Sequence, residues 1–307
     1  MVMPRVGAGG WAYFQIPVVD RLKAYSSVFD FVEVNSTYYG YPSLRMVSRW
    51  RKTVPPGFEF SVRCHRSIAD AFDSESAAQV SNVVRRMEAI CRTLRAGILA
   101  ILLPADKIGL SHQSKGLTEL LSTFDSDETR VAVEFRGRTP DPEVLDVMEE
   151  GNMVHSVDIS REDPKYESDI LYSRLFGKGE GNIYEFDDEE LKQIAVKASA
   201  PKFEKSILAF HGVRMYRDGA RLKAFLRTGD FPMVTGQVGL DSLRTVLAED
   251  TRFPASKADL VSLQGWKLFD VSRNHRARAA GPLSRLPEGT YQTIDSVISA
   301  IRDKFPA

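Results

Sequence analysis

Short runs of β-branched and aromatic residues alternate with longer stretches of helical period along the first 227 residues of the chain. The short runs predict eight strands, because each has the length and composition of a buried strand. The predicted strands are 4–10, 30–35, 58–64, 97–103, 130–136, 153–158, 170–176 and 206–211. The predicted helices are 17–28, 43–53, 75–95, 114–123, 140–150, 187–199 and 214–227. The helix at 75–95 has the clearest pattern, since its apolar residues fall on one face.

A strand followed by a helix, repeated about eight times, is the pattern of a parallel sheet, and eight such units close most naturally into a TIM-type (β/α)8 barrel. We therefore predict an α/β fold with a barrel over residues 1–227. Residues 228–307 do not continue the alternation and predict helices at 240–249, 256–264 and 293–304. No segment before them is rich enough in Gly, Ser or Pro to be a free linker. We expect a C-terminal helical appendage that packs on the barrel and is not an independent domain.

The segment Gly7–Ala12 matches the relaxed dinucleotide motif G-x-G-x-x-A, and Glu33 follows at a distance typical of the ribose-binding acid. Such a site also needs a helix that begins within the glycines, whereas Trp11 and Pro17 make that helix unfavourable. We favour a structural role, in which the glycines allow the end of the first strand to approach a ligand or a neighbouring strand closely.

Composition narrows the class of protein further. The chain has 307 residues, and 41 Lys and Arg balance 41 Asp and Glu. This balance argues against a protein whose whole surface binds a polyanion such as nucleic acid, but it is compatible with a local basic site. Cys64 and Cys91 provide no disulfide framework, the first residues lack a secretory pattern, and the apolar run 96–105 is half as long as a membrane-spanning helix. We expect a cytoplasmic protein without a membrane partner.

Strand alternation places polar side chains inside the predicted barrel. In the second strand, Val32 and Val34 face the helices, which leaves Glu33 and Asn35 inside, near the carboxyl end. The corresponding positions of later strands are Ser61, Arg63 and His65, then Glu134 and Arg136, then Tyr172 and Arg174, and finally His211. Because a charged side chain inside a barrel needs a partner or a function, we expect these residues to meet at one mouth.

Three arginines and two glutamates at one mouth support two interpretations. One is a salt-bridge network that satisfies itself and plugs the barrel. The other is a ligand site, and the geometry of Arg63, Arg136 and Arg174 would then suit a phosphate or carboxylate. We predict no metal, because metal-binding motifs are absent and neighbouring arginines would repel a cation, and we predict no cofactor.

Several motifs resemble the YecE-like proteins, which form domain-of-unknown-function family 72. The motifs are Gly9–Trp11, Tyr25–Phe29, Val32–Tyr39, Val133–Arg136 and Tyr172–Gly177. The resemblance implies a TIM-type barrel without an established reaction, and a link to nucleic acids through comparison with endonuclease IV-like barrels. The segment Phe210–Gly212, together with Trp266, resembles the archaeal branch of the family.

The resemblance also implies a set of site residues. Carried over by position, the family's polar set falls on Trp11, Glu33, Asn35, Tyr38, Arg63, Glu134, Arg136 and Arg174. The chain departs from the family at Leu102, where a glutamine is typical, and at Ala69–Asp70, where a histidine follows Ser or Thr. The second departure removes a histidine that would serve as a base or a ligand.

The leading hypothesis is an enzyme, a hydrolase or lyase, that acts on a small phosphorylated or nucleotide-related anion. Glu33 and Glu134 would be the catalytic acid and base, with pKa values pushed apart by different neighbours. Substrate binding would fall to Trp11, Asn35, Tyr38, Arg63, Arg136, Arg174 and His211. The substitution Glu33→Gln should then abolish turnover and leave the fold intact.

The alternative is a protein that binds single-stranded or damaged nucleic acid without catalysis. Its support is the mixture of aromatic residues and arginines at the mouth, together with the basic stretch 273–278 and Arg285. A run of charges of this kind is usually a solvated loop. A metal-dependent phosphodiesterase of the endonuclease IV-like type is the third hypothesis. The sequence does not predict an oligomeric state.

Overall fold

A computed structural model describes residues 3–14, 20–104, 108–125, 128–137 and 139–302 and contains one sheet of eight parallel strands. The strands are β1 (Arg5–Ala8), β2 (Phe31–Val34), β3 (Glu59–Arg63), β4 (Ile98–Pro104), β5 (Arg130–Arg136), β6 (Val154–His155), β7 (Ile170–Leu175) and β8 (Lys205–Phe210). Their order is β6-β5-β4-β3-β2-β1-β8-β7, and a parallel bridge between Val157 and Ser173 joins the two ends. The predicted TIM-type barrel is therefore confirmed as a nearly closed barrel.

Helices connect most of these strands, as a parallel sheet requires. They are α1 (Arg21–Val28), α2 (Leu44–Thr53), α3 (Ser67–Asp73), α4 (Ala77–Leu94), α5 (Leu110–Thr123), α6 (Pro142–Glu150), α7 (Asp188–Ala198) and α8 (Met215–Thr228). All seven predicted helices of this part are present. The sequence did not predict α3, because seven residues are too few to show a helical period. The start of the predicted helix 17–28 and the last two residues of 293–304 lie outside the described residues.

The interior of the barrel changes from apolar to polar along the strands. An apolar cluster fills it with residues from six strands: Phe31, Ile98, Ala100, Ala132, Val154, Tyr172, Ile207 and Ala209. Two positions farther along β2 and β7, Glu33 and Arg174 lie on the same strand faces as Phe31 and Tyr172. The alternation therefore places charged side chains at the carboxyl ends of the strands, where barrel sites are built.

The chain divides into two compact units. The first comprises Met1–Leu175 and Ile194–His211, and the second comprises Phe176–Gln193 and Gly212–Ala307. The predicted boundary at residue 227 thus falls inside the second unit. The packing of residues 228–307 on the barrel, and their status as an appendage, stay predictions.

The C-terminal part of the second unit combines short strands with helices. It contains α9 (Gly239–Ala248), β9 (Ala255–Ser256), α10 (Lys257–Gln264), β10 (Leu268–Ser272), β11 (His275–Arg278), α11 (Ala280–Ser284), β12 (Thr290–Tyr291) and α12 (Ile294–Arg302). The three helices predicted here are present. The antiparallel hairpin of β10 and β11 was not predicted, because its second strand is a basic stretch rather than an apolar run. No described helix is long and apolar enough to cross a membrane.

Gly7 lies where β1 approaches β2 most closely. A Cβ atom at this position would lie 2.0 Å from the carbonyl oxygen of Phe31 and 2.8 Å from the hydroxyl of Tyr25. The Tyr25 hydroxyl donates a hydrogen bond to that same carbonyl over 2.8 Å and accepts one from the Ala8 amide over 2.7 Å. This glycine therefore permits a close approach to the neighbouring strand.

We predict that Gly7→Ala lowers the free energy of unfolding by at least about 2 kcal/mol, because the clash involves backbone that cannot shift without disturbing the sheet. Gly40→Ala is the matched control, since a Cβ there meets no atom within 4 Å, and its effect should stay within about 0.5 kcal/mol. Urea unfolding of both variants measures the difference. Two variants of equal stability would contradict the prediction.

Candidate functional site

Glu33 is the most enclosed charged side chain at the carboxyl end of the barrel. It lies on β2 with none of its surface exposed. Arg174 of β7 donates to both of its carboxylate oxygens, over 2.9 Å from Nε and 3.1 Å from Nη2. The hydroxyl of Tyr172 donates to Oε2 over 2.6 Å, and Nε2 of His211 lies 3.4 Å from Oε1. The carboxylate thus has a partner on each oxygen, as a buried charge requires.

Arg174 joins the two glutamates that the sequence singled out. Its Nη1 atom forms a hydrogen bond with Oε2 of Glu134 on β5, while its other two nitrogens bind Glu33. The side chain of Arg174 is 1% exposed and that of Glu134 is 13% exposed. Arg136 donates from Nε to Oε1 of Glu134 over 2.8 Å and is itself half exposed. Glu134 and Arg136 are therefore the members of this ion-pair network that lie nearest the solvent.

Both glutamates are ionised at neutral pH. Although burial raises the pKa of Glu33, the Arg174 guanidinium holds it well below the ordinary value. Burial also raises the pKa of Glu134, and Arg174 and Arg136 outweigh it, so that this pKa is lowered as well. The sequence predicted that the two glutamate pKa values are pushed apart, so that one glutamate stays protonated as an acid. The surrounding charges instead lower both pKa values.

The hydroxyl groups of Ser61 and Tyr172 extend the hydrogen-bond network of Glu33 into the barrel interior. The Ser61 and Tyr172 hydroxyl oxygens lie 2.7 Å apart, and the Tyr172 hydroxyl donates its hydrogen bond to Glu33. Both residues are fully buried, and burial together with Glu33 raises the pKa of Tyr172. The sequence placed Ser61 and Tyr172 on inward faces without assigning them to the site. The signal was available, because Tyr172 precedes Arg174 by two residues on one strand.

Arg63 lies beside this network with a different set of partners. Its Nη1 atom donates to the side-chain oxygen of Asn35 over 2.6 Å, and its guanidinium carbon lies 3.6 Å from the centre of the Tyr38 ring. Among the described residues, Arg63 forms no ion pair. Burial and then Arg174 lower its pKa, with a further contribution from Arg136. The charge of Arg63 is thus offset by neutral groups at short range.

The structure places the other two predicted site residues in different surroundings. The side chain of His211 is 5% exposed, and its ring contacts Gly9, where a Cβ would lie 2.2 Å from the imidazole. Burial and Arg174 lower the pKa of His211, so the imidazole is neutral at pH 7. Trp11 packs edge-to-face against Trp50 of α2, with ring centroids 5.3 Å apart. Trp11 therefore packs on another aromatic side chain, and its predicted role in substrate binding stays a prediction.

The basic stretch 273–278 is largely paired within its own unit. Nε of Arg276 donates to Asp188 over 2.7 Å, and the Arg276 side chain is 4% exposed. Arg278 donates to the hydroxyl of Tyr184 over 2.9 Å and to Glu190 over 3.2 Å. These two arginines stabilise the second unit, which weakens the sequence argument for nucleic acid at this stretch.

Within the described part of the chain, no group of three or more His, Cys, Asp or Glu side chains is arranged to hold a metal ion. That the protein uses no metal stays a prediction.

The nearly closed parallel barrel and the polar network at the carboxyl ends of its strands define the class: an α/β barrel protein with its candidate site at the usual mouth. The model of a family described as "Protein of unknown function DUF72" matches residues 5–228, and the chain belongs to this family. The archaeal placement stays a prediction.

Two solved structures are similar to this chain. The DUF72 family protein of Thermotoga maritima is 21% identical, with a TM-score of 0.59 over 74% of this chain and 100% of that one. The DUF72 family protein of Enterococcus faecalis is 17% identical, with a TM-score of 0.58 over 73% of this chain and 98% of that one. Curated proteins gave no match. These likenesses concern the fold.

We predict that Glu33→Gln destabilises the fold, in contrast to the effect expected from the sequence. Removal of one partner of a buried ion pair typically costs about 3–5 kcal/mol, because Arg174 would keep only Glu134. The folded-state pKa of Glu33 is depressed, so its ionised form contributes stability above the ordinary glutamate pKa and loses that contribution as the pH falls through the folded-state value. The difference between wild type and variant should therefore shrink in acid.

Urea unfolding at a series of pH values between neutral and about pH 3 measures this difference. Tyr172→Phe is the control, because it removes one hydrogen bond to Glu33 and keeps the ion pair, at a cost of about 1–3 kcal/mol. A Glu33→Gln protein as stable as wild type at neutral pH would show that the network does not hold the barrel.

Proposed function

We propose that this protein is an enzyme that binds a small phosphorylated or otherwise anionic substrate at the carboxyl-terminal mouth of the barrel. The observation that carries the proposal is the environment of Arg63, a buried guanidinium that contacts the Asn35 amide and the Tyr38 ring. A planar guanidinium binds phosphate or carboxylate by paired hydrogen bonds. An anion at this position would relieve the repulsion that Arg63 experiences from Arg174 and Arg136.

The three arginines of the mouth then have different roles. Arg63 binds the anion, and the half-exposed Arg136 provides a second donor beside it. Arg174 is a positioning residue, because two carboxylates already occupy its guanidinium and its surface is closed to solvent. The anion-binding role that the sequence gave to three arginines is thus assigned to two.

The two glutamates are also separated by their surroundings. Glu134 is the catalytic residue of the proposal, since its carboxylate is partly exposed and ionised and can accept a proton from a bound substrate or water. Glu33 has no exposed surface and acts through Arg174, which it orients. Proton abstraction beside an arginine-bound phosphate is a step of both hydrolases and lyases, and we propose one of these two reaction types.

We predict that Arg63→Gln weakens the binding of inorganic phosphate and of adenosine 5′-monophosphate by about tenfold to a hundredfold, the range expected for a lost hydrogen bond to a charged group. Arg63→Lys keeps the charge and loses the planar fork, so its affinity should be intermediate. Arg227→Gln, an exposed arginine in the last turn of α8, is the charge-matched control. Isothermal titration calorimetry measures all four proteins, and equal affinities would refute the role of Arg63.

We predict that Glu134→Gln lowers kcat by about a hundredfold to ten-thousandfold on any phosphorylated compound that the wild type converts, because the variant cannot accept the proton. The KM should change far less, since Arg63 remains in place. A screen of sugar phosphates and nucleotides for released phosphate or an unsaturated product would find the substrate. A fully active Glu134→Gln protein would assign the chemistry to another residue.

A further inference from the structure

Two aromatic rings that follow β2 each cover a nitrogen-containing side chain at the end of β3. Tyr38 lies over the guanidinium of Arg63 at 3.6 Å. Three residues later, Tyr41 stacks on the imidazole of His65, with ring centroids 4.4 Å apart and an interplanar angle of 20°. Arg86 of α4 also lies over the Tyr41 ring, at 5.0 Å from its centre. Two stacks therefore follow each other along the chain. The first consists of Tyr38 and Arg63, and the second consists of Tyr41, His65 and Arg86.

Backbone contacts fix these two stacks relative to each other. The hydroxyl of Thr37 lies 2.6 Å from the carbonyl oxygen of Arg63 and 2.7 Å from that of Val34. The amide of Arg66 donates to the carbonyl of Tyr38 over 3.2 Å. Arg63 is the last residue of β3 and His65 follows two residues later, so the two stacks lie next to each other along the chain.

The positive charge around the second stack is not compensated by ion pairs. Within the described part of the chain, neither Arg66 nor Arg86 forms one. Burial, Arg66 and Arg86 lower the pKa of His65, against a hydrogen bond with the Tyr39 backbone and the charge of Asp70, which raise it. Two exposed arginines therefore act on the imidazole that stacks on Tyr41, and one of them, Arg86, lies over the Tyr41 ring.

We propose that Arg86 and Tyr41, whose ring stacks on the hydrogen-bonded imidazole of His65, form a second anion-binding subsite, and that the natural ligand carries two separate phosphoryl groups, one at Arg63 and one at this subsite. This inference rests on the proposed function, because Arg63 supplies the first subsite. A ribose that carries phosphoryl groups on its 3′ and 5′ oxygens presents two anions that the sugar separates. Nucleoside bisphosphates therefore represent the ligand class, because two separate arginines can bind their two phosphoryl groups at once.

The test compares adenosine 3′,5′-bisphosphate with adenosine 5′-monophosphate by titration calorimetry at one salt concentration. Wild type should bind the bisphosphate at least about tenfold more tightly, the gain expected from one additional charged hydrogen bond. Arg86→Gln should remove this preference and leave monophosphate binding unchanged. Arg85→Gln is the matched control, because Arg85 is the preceding residue of α4, is exposed and forms no ion pair within the described residues. Thermal melting of both variants verifies that the helix is intact.

The outcomes separate the two proposals. Equal wild-type affinity for the two probes, with the Arg63-dependent monophosphate binding retained, overturns the second subsite and leaves the proposed function in place. Equal losses in Arg85→Gln and Arg86→Gln also overturn it, since the effect would then be diffuse electrostatic attraction. Absence of binding by both probes, or monophosphate binding that does not depend on Arg63, overturns the proposed function and the inference with it.

Discussion

The ion-pair network around Arg174 is the constraint on which the barrel mouth depends. One guanidinium lies between two carboxylates from different strands, and it is nearly closed to solvent. Removing any one of these charges would leave the others buried and underpaired, which costs far more than a surface ion pair. The network therefore fixes the positions of β2, β5 and β7 at the end of the barrel where a ligand would bind.

The same constraint bears on which arginines of the mouth are proposed to bind an anion. Two carboxylates occupy the guanidinium of Arg174, which is closed to solvent, so the proposal assigns the anion to Arg63 and to the exposed part of Arg136. A chain whose formal charge is zero can thus present a cationic rim over a balanced interior. Of the two interpretations that the sequence left open, the structure contains the ion-pair network of the first, and the ligand site of the second stays a proposal.

The sequence predicted the strands well because each has a strong local signal, a short apolar run between breakers. It also predicted the inward direction of Glu33, Glu134 and Arg174, since alternation along a strand determines the face. It could not predict which charges pair, because a partner on a distant strand depends on side-chain reach and on barrel closure. The hairpin at β10 and β11 was missed for a related reason: its basic residues are buried by partners such as Asp188, which no local pattern reveals.

The two ends of the eight-stranded sheet meet at β6 and β7, where a single bridge from Val157 to Ser173 continues the ladder. Arg174 is the next residue along β7, and its contacts reach across the interior to β2 and β5. The charged cluster thus stabilises the barrel next to the junction of β6 and β7, where a single bridge joins the two ends of the sheet. The same charged atoms thus serve closure of the fold and the site proposed at this mouth, so a substitution that alters the site would also alter how the two ends of the sheet are held together.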